Sequence, residues 1–187
     1  MNNKQRLIET LLEKSVQFGD FTLSSGKKTD FYINGKLTTL TPEASWAIAS
    51  MIIDRLNVGI SAVGGPGYGA APIVGAVVPV SYAMNRKVHG FLIRDSVKKY
   101  GTRMWIEGKE NIPDGSTVCV VEDTCTTGVS ILSAISKIEA EGFRVDQVIT
   151  VVDRQEGGKE RIEKAGYKLE VLVSKEDLVL AGMNEKK

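Results

Sequence analysis

From residue 60 onward, short apolar runs alternate with segments of helical period, and this alternation constrains the chain more than any other feature. Residues 60–63, 88–93, 117–121, 145–152 and 168–173 read as buried strands. Between them, 70–82, 129–141 and 156–165 read as helices. Strands that are apolar throughout must be covered on both faces, and strands separated by helices run parallel. The expected fold class is therefore α/β, a central parallel sheet flanked by helices. Residues 64–69 read as a glycine-rich turn, with Pro72 in the first turn of the helix that follows. The polar, basic stretch 94–109 reads as a long loop or a mobile hairpin.

Ahead of this regular part, Leu7, Ile8, Leu11, Leu12 and Val16 recur at helical spacing and predict an amphipathic first helix over 4–18. Thr41 before Pro42 marks a helix start, since proline at the first helical position gives up an N–H that would be unpaired anyway. That helix is expected to reach Leu56. The first helix and the hairpin-like segment after it are expected to form a small lid on one domain spanning 1–187. With 187 residues, the chain is long enough to bury a core without a disulfide or metal staple.

Composition excludes several classes of function. The net charge is +1, so no global field draws the chain to nucleic acid or an anionic membrane. No apolar run approaches the ~20 residues of a membrane span, and the start Met-Asn-Asn-Lys-Gln-Arg lacks the apolar core of a signal peptide. Cys119 and Cys125 with a single histidine do not make a Cys/His zinc site. A cytoplasmic location is expected.

The chemistry concentrates in Val118-Cys-Val-Val-Glu122-Asp123-Thr124-Cys125-Thr126-Thr127-Gly128. An apolar strand delivers two adjacent carboxylates to its carboxyl end, where ligands bind in open α/β sheets. A run of hydroxyl residues then enters a helix, whose free N–H groups with nearby hydroxyls make a phosphate cradle. Carboxylates beside a phosphate are repulsive unless they face hydroxyl groups or a cation. A phosphorylated ribose meets both demands. Asp and Thr are also good helix N-caps, but capping alone does not call for the paired acids. Gly65-x-Gly67-x-x-Ala70 fits a loose dinucleotide fingerprint, yet residues 85–90 lack the acidic partner that fingerprint needs. No G-x-x-x-x-G-K-[ST] phosphate loop occurs.

The acidic–hydroxyl stretch resembles the phosphoribosyl-pyrophosphate (PRPP) signature of the type I phosphoribosyltransferases. Other segments narrow the resemblance to the orotate phosphoribosyltransferases. Phe21 to Asn34, with Phe31-Tyr32, looks like that family's N-terminal substrate segment. Val63-Gly-Gly-Pro-Gly-Tyr-Gly-Ala-Ala-Pro-Ile73 resembles its pyrophosphate loop. Arg94 to Gly108 occupies the place of its mobile catalytic loop, and Val152-Asp-Arg154 matches the segment that supplies an arginine to the orotate carboxylate.

The resemblance implies the type I phosphoribosyltransferase fold, with a small hood from about 1–40 and the C-terminal segment. It implies Mg²⁺-dependent transfer of phosphoribosyl from PRPP to orotate by a homodimer, with Mg²⁺ carried by PRPP. Arg94, Lys98 and Asp123 would be catalytic. PRPP would be bound by Arg94, Lys98, Lys99, Glu122, Asp123, Thr124, Cys125, Thr126, Thr127, Gly128, Val129 and Ser130. Orotate would be bound by Phe31, Tyr32, Thr126 and Arg154.

The chain departs from the family pattern in the mobile loop. Asp95, Ser96 and Tyr100 stand where the family usually has lysine, glutamate and histidine. The loop substitutions leave open a non-catalytic or altered-specificity relative that binds PRPP or a nucleotide, beside the active transferase.

Overall fold

The protein is described by a computed structural model covering residues 2–22, 28–94 and 105–184. In chain order, helix α1 (Asn3–Lys14) leads into strands β1 (Val16–Thr22) and β2 (Lys28–Ile33), then the single turn α2 (Lys36–Thr39) and helix α3 (Pro42–Arg55). Strand β3 (Ile60–Pro66), helix α4 (Gly67–Ala83) and strands β4 (His89–Ile93) and β5 (Ile106–Glu107) follow. The rest is β6 (Thr117–Cys125), α5 (Val129–Ala140), β7 (Arg144–Asp153), α6 (Gly158–Lys164), β8 (Leu169–Ser174) and α7 (Lys175–Asn184).

The central sheet has six strands in the order β5-β4-β3-β6-β7-β8. Five of them run parallel, and β5 pairs antiparallel with β4 through Leu92↔Glu107 and Ile93↔Ile106. The 94–109 stretch is thus rooted in a hairpin, with 95–104 outside the described residues. Strand side chains alternate between two cores. Cys119 and Val121 pack with α1, α3 and α4, whereas Val118 and Val120 pack with α5 and α6.

A separate antiparallel ribbon, β1-β2, lies with α1 and α2 beside the sheet. The C-terminal α7 packs on α1, where Lys4 pairs with Asp177 at 3.1 Å. Among the described residues no helix is long and apolar enough to cross a membrane.

Several local expectations give way to the structure. The predicted helix 4–18 ends at Lys14, because Val16 and Phe18 pair across the ribbon with Ile33 and Phe31. Their spacing after Leu12 fits a helix, but Gly19 and the β-branched Val16 favour extended chain. Gly64 and Gly65 lie in β3 rather than in a turn. A Cβ on Gly64 would lie 2.3 Å from the Phe91 ring, and one on Gly65 would lie 1.9 Å from the Val121 carbonyl oxygen. Helix α4 consequently starts at Gly67, which places Pro72 in its second turn. Strand β6 runs on to Cys125, so the acid pair sits in the strand itself.

Candidate active site

Strands β3 and β4 are laid down in one direction from the sheet's middle, and β6, β7 and β8 in the other. The point of reversal is the β3/β6 crevice, the usual ligand position in such sheets. Around it stand the carboxyl ends of four strands. They carry Arg94, Gly67–Gly69, Glu122–Gly128 and Arg154 respectively.

Glu122 and Asp123 are buried, 7% and 8% exposed. As neighbours in a strand they start toward opposite faces, Glu122 toward α5 and Asp123 toward α2 and α4. The Glu122 side chain folds back, so that Oε1 accepts the Asp123 N–H at 3.3 Å while Oε2 accepts the Ser130 hydroxyl at 3.3 Å. Both carboxyls meet Gly69, where a Cβ would lie 2.6 Å from Asp123 Oδ1 and 2.7 Å from Glu122 Oε1. On the other side, a Cβ on Gly35 would lie 3.0 Å from Asp123 Oδ2 and 3.1 Å from Thr124 Oγ1. Two glycines therefore make the space in which the acid pair sits.

Burial raises the Glu122 pKa from 4.5 to about 8, and the adjacent Asp123 charge adds to the rise. Burial and the neighbouring charge thus favour the protonated form of Glu122, which can donate as well as accept. Burial raises Asp123 as well, opposed chiefly by the positive charge of Lys36. Cys125, buried next to Asp153 and Glu122, is pushed up to about 12, so its thiol stays protonated and does not act as a nucleophile.

Beyond β6, Thr126, Thr127 and Gly128 turn the chain into α5. Gly128 has φ +74°, and a Cβ there would meet the Gly158 carbonyl oxygen at 2.9 Å. Thr127, Val129 and Ser130 are exposed at the mouth of this turn, Thr124 and Thr126 are half-buried, and Cys125 is buried. No side chain caps α5. Its first N–H groups and the Thr hydroxyls can thus take an anion.

Arg154 follows β7 directly, and its N–H donates to the Cys125 carbonyl at 2.9 Å, tying it to the end of β6. The residue is buried, 7% exposed. Its Nη2 donates to the Phe31 carbonyl at 3.3 Å and pairs with Glu156 Oε1 at 2.8 Å. Phe31 is buried, with Lys175 Nζ 5.2 Å from its ring centroid. Tyr32 points to the other side of the ribbon and packs on Phe21, ring centroids 5.6 Å apart. The structure therefore brings Phe31, but not Tyr32, to Arg154.

Arg94 follows β4 directly with its guanidinium paired to Glu107 on β5, and its carbonyl accepts Lys137 Nζ at 3.1 Å. Lys98 and Lys99 lie outside the described residues. Sequence reasoning missed Gly35, Gly69, Lys36 and Glu156. Gly69 stood in a conspicuous glycine run, but only the fold puts it against the acids.

A mostly parallel sheet with a buried acid pair and a hydroxyl-lined helix start at its reversal point defines a protein of the phosphoribosyltransferase class. No family model matches the chain. The orotate phosphoribosyltransferase of Nostoc sp. is 41% identical over 175 residues, 94% of this chain and 84% of the relative. The crystal structure of Mycobacterium tuberculosis orotate phosphoribosyltransferase with Fe(III) dicitrate is 35% identical and superposes with a TM-score of 0.81, covering 94% of this chain and 98% of that chain. The mycobacterial protein in complex with PRPP is 32% identical by structural alignment, with a TM-score of 0.77 and the same coverage. This chain belongs to the orotate phosphoribosyltransferase family.

Proposed function

We propose that the chain transfers the 5-phosphoribosyl group of PRPP to orotate, giving orotidine monophosphate and pyrophosphate in pyrimidine biosynthesis. The bond between ribose C1 and the pyrophosphate oxygen breaks, a bond from C1 to the pyrimidine ring nitrogen forms, and that nitrogen loses its proton to the departing pyrophosphate or to solvent. The observation that carries this reading is a buried acid pair on β6 and a buried arginine just after β7, on two neighbouring strand ends joined by the Arg154 N–H bond to the Cys125 carbonyl. An arginine suits a carboxylated base, because its planar fork can donate parallel hydrogen bonds. The mycobacterial relative was solved with PRPP.

In this scheme the N–H groups and hydroxyls of Thr124, Thr126, Thr127, Gly128, Val129 and Ser130 hold the 5-phosphate. Cys125 contributes backbone only. Asp123 and the neutral Glu122 face the ribose hydroxyls, and the Asp123 charge stabilises the oxocarbenium character that develops at C1. Arg154, with Thr126, orients orotate beside Phe31. Arg94, Lys98 and Lys99 serve the departing pyrophosphate, and Arg94 exchanges Glu107 for a phosphate oxygen to do so.

Mg²⁺ would be carried by PRPP. Among the described residues no three His, Cys, Asp or Glu side chains gather into a metal site. The Asp123 carboxylate would offer a hard oxygen donor near an ion held chiefly by substrate phosphates. When bound, the ion neutralises charge on the pyrophosphate.

A homodimer is part of the same reading. Helix α4 has no charged residue in its 17 positions and leaves Tyr68, Val78 and Tyr82 exposed, a face suited to a second copy. Two buried free cysteines, Cys119 and Cys125, suit a reducing cytoplasm. Consumption of orotate, uracil, adenine and hypoxanthine with PRPP and Mg²⁺ tests the base. Orotate alone should be converted, and conversion of a purine instead would overturn the assignment.

A further inference from the structure

Arg154 is held by more than its place in the chain. Its Nη2 donates to the Phe31 carbonyl and forms an ion pair with Glu156, whereas Nε is buried and has no partner among the described residues. A buried N–H without an acceptor is costly, so an acceptor belongs opposite Nε when the site is in use.

Glu156 reaches Nη2 through an unusual turn. The intervening Gln155 has φ +55°, a left-handed conformation that a residue with a Cβ rarely adopts. The turn is pinned at both ends. The Gln155 N–H donates to Asp153 Oδ1 at 2.9 Å, and Gln155 Oε1 accepts the N–H of Glu176 at 3.1 Å. Strain of this kind persists where the surroundings over-determine it, and it gathers at functional sites. Here its product is a glutamate side chain that is 17% exposed beside an arginine side chain that is 8% exposed.

We propose that Glu156 is a positioning residue for base recognition. By engaging Nη2 together with the Phe31 carbonyl, it fixes the plane of the Arg154 guanidinium and leaves Nε as the donor presented to the substrate carboxylate. It also neutralises the buried cation while no substrate is bound. Because the arginine is already paired, net charge attracts orotate weakly, and orientation of the remaining donors does the discriminating. The proposal rests on Arg154 as the orotate-binding arginine.

Steady-state kinetics on four variants test it. Glu156→Ala should raise the orotate KM at least about tenfold, with the PRPP KM unchanged within about twofold. Glu156→Asp, one methylene too short, should act in the same direction. Glu156→Gln keeps an acceptor for Nη2 and should restore the orotate KM to within about threefold of the parent. An unchanged or lowered orotate KM in Glu156→Ala and Glu156→Asp would overturn the proposal, a lowered value marking Glu156 as a competitor for Arg154. Equal rises in both KM values would also overturn it, as general structural damage. Arg154→Ala separates the two levels. If it leaves the orotate KM unchanged, the assignment of Arg154 itself fails. If it raises that KM while Glu156→Ala does not, only the role of Glu156 fails.

Discussion

Gly69 lies against Asp123 so closely that a single added methyl carbon would stand 2.6 Å from the carboxylate oxygen Oδ1. The first turn of α4 and the end of β6 therefore meet through a glycine, and the acid pair owes its position to that missing side chain. Nothing in Gly69's own backbone demands glycine, since alanine suits a helix better. Gly69→Ala should thus lower kcat/KM by about 100-fold through displaced carboxylates. The melting temperature should move by no more than about 4 °C. A variant of parental activity would show that the carboxylates need not stay where they are.

Glu122 makes the stability of the free protein depend on pH. Its folded pKa is raised from 4.5 to about 8, so between these values the unfolded chain releases a proton that the folded chain keeps. The folded state accordingly loses stability as pH rises through that window. Glu122→Gln removes this contribution. At pH 8 it should melt about 3 °C or more above the parent, a difference of about 1 kcal/mol for a chain of this size. At pH 5 the two should converge. Thermal scans at both pH values decide it, and parallel curves would show that Glu122 is ionised in the free protein.

The uncharged α4 face carries the expectation of a homodimer. Tyr82 is 75% exposed there and Val78 37%. Val78→Asp with Tyr82→Glu should shift the sedimenting species from dimer to monomer, while circular dichroism stays parental. A double variant that remains dimeric would move the interface elsewhere.

Much of this architecture can be read from local pattern. Residues 118–121 are apolar without a break because β6 is covered on both faces, and Pro42 marks the start of α3 because a proline suits that position. The acid pair and hydroxyl run were likewise legible, as consecutive residues at one strand end. What escaped depends on contacts between distant segments. Val16 and Phe18 continue a helical spacing, and only pairing with Ile33 and Phe31 makes them a strand. Gly64 and Gly65 look like a turn until the Phe91 ring and the Val121 carbonyl fill the space above them. Phe31 and Tyr32 look like a pair, yet strand alternation sends them to opposite sides. Gly35 and Lys36 gain meaning only when the ribbon docks on β6, some 88 residues later in the chain for Gly35 and Asp123.

In the proposed function the buried acid pair serves phosphoribosyl transfer to orotate. Loss of orotate absorbance in the presence of PRPP and Mg²⁺, measured for the parent chain and for Asp123→Asn, tests it most directly. Orotate loss should require the protein, PRPP and Mg²⁺ together and should fall by at least about 100-fold in the variant. Equal turnover in parent and variant would contradict the role given to Asp123. No turnover in the parent, with PRPP still bound by calorimetry, would contradict the transferase itself.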